Sequence, residues 1–326
     1  LQSFFSPALQ GTGGSQTYFG LINTGNETEE IARYSYDQGG GVAAWDVIEL
    51  APGEKVENNT AYIGILKPDS RSMSASAVSG RQCLIGYIKI LNPSFASRGR
   101  ALAPLAGHGG GELVAPHIAS GGCWRTFMSV MNTGNMDSEV EFSAYDGNGD
   151  KIDGCSRILK AKGSLAGEAS AIFDRSPTGD IASIKITSGG PDGSLPLSGL
   201  LIYEKTNGLQ LAGMPINPAV SSTLRLPHLA CSGPWATGIG LMNAGNVSSD
   251  IIFSLFDGNG DILISRKEYL NPNQRLSGTL KGLFGDDISR DARYLQIESS
   301  GGQPVSGIYL IATSNGLQLM GDVIGF

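Results

Sequence analysis

Charged residues are scarce in this sequence, and no basic run interrupts its acidic balance. Only 16% of the 326 residues are charged, and the formal net charge is −7. Proteins that bind nucleic acids or anionic membranes usually do so through clusters of Lys and Arg, and this sequence has no such cluster. Long apolar runs are missing as well, since none approaches the roughly 18–20 residues that a membrane-spanning helix needs. The sequence therefore predicts neither a nucleic-acid partner nor a membrane span.

Cysteine is also rare, and its spacing does not match a metal site. The four cysteines, Cys83, Cys123, Cys155 and Cys231, form no CxxC pair, which the common zinc sites contain. Cys123 and Cys155 fall in the same part of the chain and would form a disulfide if their strands were neighbours. Small buried thiols give the same pattern, and the sequence leaves both alternatives open.

The first residue is Leu1 rather than Met. A chain that begins in this way is either a mature exported protein after removal of its leader or an excised piece of a longer one. We expect the first, and therefore an extracytoplasmic location, whether periplasmic, secreted or on the cell surface.

Glycine and proline are abundant by contrast, with 47 and 15 copies. Both residues destabilise helix interiors, whereas tight turns between short strands use them freely. The composition therefore predicts an all-β fold.

One short phrase occurs three times along the chain. Leu-Met-Asn-Ala-Gly-Asn at 241–246 is nearly repeated at 130–135 and at 21–26. Around each copy the same residues recur without gaps, namely a Thr before it, an aromatic-Asp pair after it and then a Leu that opens a turn. The chain therefore consists of three units of about 110 residues, a common size for a small domain. We expect repeat 1 at 1–105, repeat 2 at 106–218 and repeat 3 at 219–326.

Repeats 2 and 3 match each other more closely than either matches repeat 1. Pro116-His117 and Pro227-His228 are equivalent, and each pair is followed by a tryptophan, Trp124 or Trp235. Repeat 1 has neither the Pro-His pair nor the tryptophan. Terminal repeats are often atypical because one of their faces has no neighbour. We expect function to lie at these positions, where the copies differ.

Each repeat has the alternation of apolar and polar residues that is typical of strands. The phrase around Asn243 turns the chain, and Asp-Gly-Asn-Gly ends the next strand with a strong hairpin signal. We expect three tandem antiparallel β-sandwich domains of about seven strands each. The segments 184–186 and 200–203 are predicted to form one hairpin. Single helical turns are predicted at Ile172-Phe173 and Leu283-Phe284.

The order of these motifs resembles a family of β-sandwich repeat modules from exported bacterial proteins. The motifs are Pro-His-hydrophobic-Ala, Trp-x-Thr, Asn-x-Gly-Asn and aromatic-Asp-Gly-x-Gly. They cover repeats 2 and 3 well and repeat 1 only in its central half. The resemblance implies an immunoglobulin-like shape, secretion and a non-enzymatic role. Most such modules have no known function, so no catalytic residues can be carried over.

The Asp-Gly-Asn-Gly-Asp loops of repeats 2 and 3 are candidate calcium sites, because oxygen-bearing side chains stand at alternate positions. An EF-hand loop also needs glycine at its sixth position, where this chain has Lys151 and Ile262. A plain hairpin turn explains the same sequence, and we favour it. No other cofactor is expected. The calcium alternative would use Asp146, Asn148, Asp150, Asp257, Asn259 and Asp261.

Histidine and tryptophan provide the remaining candidate site residues. His117 and His228 occupy equivalent positions in two units, which is not how a single Ser-His-Asp site is built, so no catalytic residue is predicted. They are candidate ligand-binding residues, although a hydrogen-bonded structural role is the simpler interpretation. Trp124 and Trp235 are either exposed platforms on which sugars stack or ordinary tryptophans of the core and its rim.

Three functional hypotheses follow from the sequence. The favoured one is an exported, non-catalytic structural or adhesive protein that contacts a surface glycan or another exported protein through several similar units. The alternative is a carbohydrate-binding protein that uses Trp124 and Trp235 in a groove. A third is an enzyme with a site at a junction between units. The sequence does not say whether the three units form a linear row or a pseudo-threefold ring.

Overall fold

The computed structural model describes residues 3–7, 16–59, 66–91, 100–104, 110–120, 122–173, 181–189, 195–207, 210–217, 221–285, 291–314 and 319–325. Within these residues the strands form six four-stranded antiparallel sheets. The helices described there are one short α-helix and one 3-10 turn, and neither is long and apolar enough to cross a membrane. The prediction of an all-β chain is confirmed.

The strands and helical turns have the following bounds. Those of repeat 1 are β1 (Ser3–Ser6), β2 (Gln16–Asn23), β3 (Glu29–Tyr36), β4 (Val42–Leu50), β5 (Lys55–Asn59), β6 (Ser72–Ala77), β7 (Leu84–Leu91) and β8 (Arg100–Pro104). Those of repeat 2 are β9 (Glu112–Ala115), β10 (Trp124–Asn132), β11 (Ser138–Tyr145), β12 (Lys151–Leu159), β13 (Ser164–Glu168), a 3-10 turn (Ala169–Ile172), β14 (Ser183–Gly189), β15 (Leu197–Lys205) and β16 (Leu211–Ile216). Those of repeat 3 are β17 (Thr223–Leu226), β18 (Trp235–Asn243), β19 (Ser249–Phe256), β20 (Ile262–Leu270), β21 (Arg275–Thr279), α1 (Leu280–Phe284), β22 (Tyr294–Ser299), β23 (Val305–Thr313) and β24 (Leu319–Val323).

The same strand order recurs in all three repeats. The two sheets of repeat 1 have the orders β1-β6-β3-β4 and β5-β2-β7-β8. Repeat 2 has β9-β14-β11-β12 and β13-β10-β15-β16, and repeat 3 has β17-β22-β19-β20 and β21-β18-β23-β24. The sequence repeat is therefore also a repeat of topology, with two sheets in each unit. The predicted boundaries at 105 and 218 lie outside the described residues, so the division into three tandem domains stays a prediction.

Each repeat has eight described strands where about seven were predicted. The first strands of the repeats, β1, β9 and β17, are short, with four residues each. A segment this short carries too little alternation to be recognised by its period. Both predicted helical turns are confirmed, at Ala169–Ile172 and at Leu280–Phe284.

The predicted hairpin between segments 184–186 and 200–203 is wrong. The first segment lies in β14, which pairs with β9 and β11. The second lies in β15, which pairs with β10 and β16 in the other sheet. The chain therefore crosses from one sheet to the other between these strands. Adjacent apolar runs do not reveal such a crossing, because either connection joins two similar strands.

A buried asparagine fixes the turn of the thrice-repeated phrase. In repeat 2 the Asn132 side chain is fully buried, and its Nδ2 donates to the carbonyl oxygens of Met136 and Leu159 at 2.7 and 3.1 Å. Its Oδ1 accepts the amide hydrogen of Gly134 at 2.9 Å. The equivalent asparagines of repeats 1 and 3 make the same three kinds of bond. The phrase is therefore an architectural element, since a buried polar side chain must find partners.

Neighbouring repeats contact each other through equivalent elements. The hairpin that follows the third strand of one repeat lies on the turn between the fourth and fifth strands of the next repeat. A Cβ atom on Gly40 would clash with the carbonyl oxygen of Ala161, and one on Gly149 would clash with that of Pro272. Both glycines have positive φ values, of 85° and 95°, so the conformation and the close approach both require glycine.

A small apolar cluster lies beside each of these two contacts. Its members come from the first and third strands of one repeat and from the second strand of the next. The clusters are Phe5, Tyr36 and Met131 at the junction of repeats 1 and 2, and Val114, Tyr145, Met242 and Ala244 at the junction of repeats 2 and 3. The hydrophobic cores also cross the junctions, because Leu200 and Leu211 of repeat 2 belong to the core cluster of repeat 1.

The last strands of the repeats meet along the inside of the arrangement. β16 packs against both β8 and β24, whereas β8 and β24 approach each other only marginally. Among the described residues, repeat 3 therefore contacts repeat 1 much less than repeat 2 contacts either of them.

Candidate functional site

A groove runs along β18 of repeat 3, where this strand faces repeat 2. Gly238, Gly240 and Gly278 line it, and the backbone forms much of its floor because these residues have no side chains. The Cβ atom of His117 lies 2.7 Å from the position that a Cβ atom on Gly240 would occupy. A larger residue at 240 would therefore push repeat 2 away from repeat 3.

The groove consists of three adjoining cavities. Two of them, of about 270 and 260 Å³, lie at the junction with repeat 2. The third, of about 430 Å³, is lined by residues of repeat 3 alone, and Thr279 lines all three. Small-molecule sites typically measure about 300–1,000 Å³. Because the cavities share lining residues, they accommodate an extended ligand better than a compact one.

Both predicted tryptophans line this groove. Trp124, which begins β10, is half-buried and forms a wall of the middle cavity with Leu310 and Leu319. Trp235, which begins β18, is 36% exposed and lines the third cavity beside Thr279 and Lys281. The two tryptophans therefore come from different repeats and line two adjoining cavities, which share Ala236 and Thr279.

His117 lies at the boundary between repeats 2 and 3. Its ring stacks on that of Tyr203 with 6.0 Å between ring centres, and the Tyr203 hydroxyl donates to the His117 carbonyl oxygen. Its Nδ1 is 3.1 Å from Nη1 of Arg275 in repeat 3. Because arginine only donates, Nδ1 must be the unprotonated acceptor of a neutral ring. Burial, and secondly the charge of Arg275, lower the pKa of His117 from 6.5 to about 4.

His228, the equivalent residue of repeat 3, lies elsewhere. Its side chain is exposed. The structure thus brings His117 to the groove with the two tryptophans but leaves His228 outside it. His108 falls outside the described residues.

The two Asp-Gly-Asn-Gly-Asp loops have the geometry of hairpin turns. Asp146 Oδ1 accepts the amide hydrogens of Asn148 and Asp150 at 2.8 and 3.0 Å. Asp257 accepts those of Asn259 and Asp261 at 2.8 and 2.9 Å, and these backbone hydrogen bonds lower the pKa of Asp257. Among the described residues no group of three His, Cys, Asp or Glu side chains is arranged to hold a metal ion. Calcium binding stays a prediction.

All four cysteines are free thiols in the structure. Cys123 is exposed, whereas Cys155 is half-buried with its Sγ 3.4 Å from the carbonyl oxygen of Ile172. Cys123 and Cys155 are therefore not bonded to each other in this structure. The alternative of small buried thiols fits Cys83 but not the exposed Cys123 and Cys231.

Comparisons with known proteins place the chain in no family. No protein-family model matches it, and no curated protein matches it. Among solved structures, Thermotoga maritima 1070 is 18% identical with a TM-score of 0.26, and the match covers 33% of this chain and 92% of that one. The Anabaena sensory rhodopsin transducer is 15% identical with a TM-score of 0.22, covering 27% of this chain and 91% of that one. A putative secreted protein from Parabacteroides distasonis is 12% identical with a TM-score of 0.18, covering 59% and 73%.

The sequence interpretation missed the most exposed tryptophan of the chain. Trp45 of β4 is 63% exposed, and its ring stacks on that of Tyr34 with 6.4 Å between ring centres. It lies in repeat 1, away from the groove. The available signal was that Trp45 has no aromatic counterpart in the other repeats, where Gly154 and Ser265 stand.

Proposed function

We propose that the protein is an exported, non-catalytic surface protein of three β-sandwich repeats that holds an oligosaccharide in the groove between repeats 2 and 3. The observation that carries this proposal is that Trp124 and Trp235 line two adjoining cavities of this groove, which share Ala236 and Thr279. The exported location rests on the resemblance of the sequence motifs.

The chemistry of the groove suits a chain of sugar rings. Pyranose rings present flat C–H faces that pack on indole rings, and the middle cavity is lined largely by apolar side chains such as Leu310 and Leu319. The hydroxyl groups at the edge of a sugar ring need hydrogen-bonding partners. Thr279 and Lys281, which line the same cavity as Trp235, provide them. The elongated shape favours an oligosaccharide over a single sugar.

A glycan array tests this proposal. Wild-type protein is compared with Trp124→Ala and Trp235→Ala, with calcium present and absent. Truncating a tryptophan at the centre of a binding site costs about 2 kcal/mol, which is roughly thirtyfold in Kd. We expect wild type to bind a subset of oligosaccharides and both variants to lose most of that binding.

Trp45→Ala is the matched control, because Trp45 is the most exposed tryptophan and lies outside the groove. It should retain the binding of wild type. Wild type that binds no glycan, or binding that Trp45→Ala abolishes and the groove variants leave unchanged, would overturn the proposal. Binding that appears only with calcium would instead direct attention to the Asp-Gly-Asn-Gly-Asp loops.

A further inference from the structure

Each junction joins two different surfaces, which we call the hairpin face and the turn face. The hairpin face consists of the glycine of the hairpin after the third strand, the aromatic residue that ends the third strand, and one residue of the first strand. The turn face consists of one residue of the second strand and one residue of the turn between the fourth and fifth strands. The hairpin faces are Phe5, Tyr36 and Gly40 in repeat 1, Val114, Tyr145 and Gly149 in repeat 2, and Arg225, Phe256 and Gly260 in repeat 3. The turn faces are Ile22 and Gly53 in repeat 1, Met131 and Lys162 in repeat 2, and Met242 and Asn273 in repeat 3.

The hairpin face of repeat 3 has the same backbone conformation as the hairpin faces of repeats 1 and 2, but it is not covered by a following repeat in this structure. Gly260 has a φ of 92°, close to the 85° and 95° of its counterparts Gly40 and Gly149. Among the described residues, a Cβ atom on Gly260 would have the Tyr294 hydroxyl as its nearest neighbour, at 3.9 Å, whereas its counterparts contact the next repeat. Arg225 is exposed, although the equivalent residues of repeats 1 and 2 are buried at their junctions.

The turn face of repeat 1 is exposed in the same way. Gly53 has the positive φ of its counterparts in the other turns, and no atom of the described residues lies within 4 Å of the position of a Cβ atom there. Ile85 on the same surface is 53% exposed, whereas its counterparts Ser198 and Ser306 are 1% and 7% exposed. Repeat 1 therefore presents apolar surface where the other repeats meet their neighbour.

We infer that the hairpin face of repeat 3 binds the turn face of repeat 1 in a second copy of this chain. The partner is a second copy because the chain already joins a hairpin face to a turn face at two internal junctions. The hairpin face of repeat 3 and the turn face of repeat 1 are the matching surfaces that remain exposed. In the part of the chain that the structure describes, the two faces do not contact each other within one copy. A contact between unlike faces that does not close generates open chains of subunits or larger rings.

One side chain makes this contact differ from the internal ones. Tyr87 fills the space above Gly20, where repeat 3 leaves Gly240 free for His117. The Tyr87 hydroxyl donates to Glu57, whose second oxygen pairs with Lys89. The Pro227-His228 segment of a second copy would therefore contact the Tyr87 ring, whereas His117 packs directly on Gly240. We expect this association to be weaker than the internal junctions.

Sedimentation velocity of the full chain, from micromolar to millimolar concentration, tests the inference. Wild type should form species larger than the monomer as concentration rises. The double variant Arg225→Asp, His228→Asp places one carboxylate on the hairpin face and one in the adjoining Pro227-His228 segment. Ile85→Asp places one on the turn face, beside its strand partner Ile22. All three side chains are exposed or half-exposed, so the fold should tolerate the changes. Each variant alone should remain monomeric.

Mixing the two variants distinguishes this arrangement from a symmetric dimer. The mixture contains one intact hairpin face and one intact turn face, so it should form dimers and nothing larger. Ile158→Asp alters an exposed residue of β12 that is 70% accessible and outside both faces, and it should associate as wild type does. A wild type that stays monomeric, a mixture that does not dimerise, or self-association of either face variant alone would overturn the inference.

Discussion

Acidification should weaken the contact between repeats 2 and 3, because His117 cannot accept a proton where it lies without losing that contact. The Nδ1 atom of its ring faces the guanidinium group of Arg275 at 3.1 Å. A proton on Nδ1 would remove the atom that accepts the hydrogen bond from Arg275. It would also place a positively charged imidazole ring next to the positively charged guanidinium group. On its other side the ring stacks on Tyr203, which is buried and carries no charge.

The pKa values give the size and the pH range of this effect. The pKa of His117 falls from 6.5 to about 4 on folding, and such a difference corresponds to about 3 kcal/mol. Between these pH values the unfolded chain binds more protons than the folded one, so stability rises with pH. The contribution of the neutral histidine is therefore complete above pH 6.5, is lost as the pH falls toward 4, and changes no further below that.

Urea denaturation between pH 7 and pH 4 measures the effect. His117→Gln removes the titrating group and keeps a neutral hydrogen-bonding side chain, so its free energy of unfolding should fall less on acidification than that of wild type, by up to about 3 kcal/mol. His228→Gln is the matched control, because His228 is the equivalent residue and is exposed. Equal pH dependence in wild type and His117→Gln would refute the assignment of His117 as a buried neutral residue of the junction.

Two further predictions concern the repeated architecture. Asn132→Ala should lower the free energy of unfolding by about 2–4 kcal/mol in urea denaturation, because it leaves buried backbone groups without partners, whereas Asn135→Ala, at an exposed position of the same turn, should change it by less than about 0.5 kcal/mol. Gly149→Ala should lower the thermal stability more than Gly260→Ala does. Both positions have φ near 90°, and an alanine in this conformation costs about 1–3 kcal/mol. At Gly149 the new methyl group would also clash with Pro272 of the next repeat. Equal losses within either pair would contradict the corresponding contact.

The sequence revealed those parts of the fold that depend on local chemistry. The turn after Asn132 is closed by the side chain of that residue within a few positions, so its threefold recurrence predicted three equivalent turns. The hairpin after Tyr145 likewise needs only its own Asp and Gly residues. Both features lie within a short stretch, where sequence and structure correspond directly.

The candidate site depends on contacts that local patterns do not contain. His117 and His228 have almost the same neighbours in sequence, yet His117 is half-buried against the next repeat and His228 is exposed. The groove exists because repeat 2 is placed against the glycine-lined face of β18, and nothing in either repeat alone shows that placement. Trp124 and Trp235 were therefore identified as candidates by their recurrence, but their meeting at one groove could not be derived from it.

Tryptophan fluorescence provides the most direct test of the proposed binding groove. In the Trp45→Phe variant the two remaining indole rings are those of Trp124 and Trp235, so emission reports on the groove alone. Titration with the oligosaccharide that binds best on the array should give a saturable change in emission, and the midpoint should match the affinity measured by calorimetry. Calorimetric binding without any change in emission would place the ligand elsewhere and contradict the central claim.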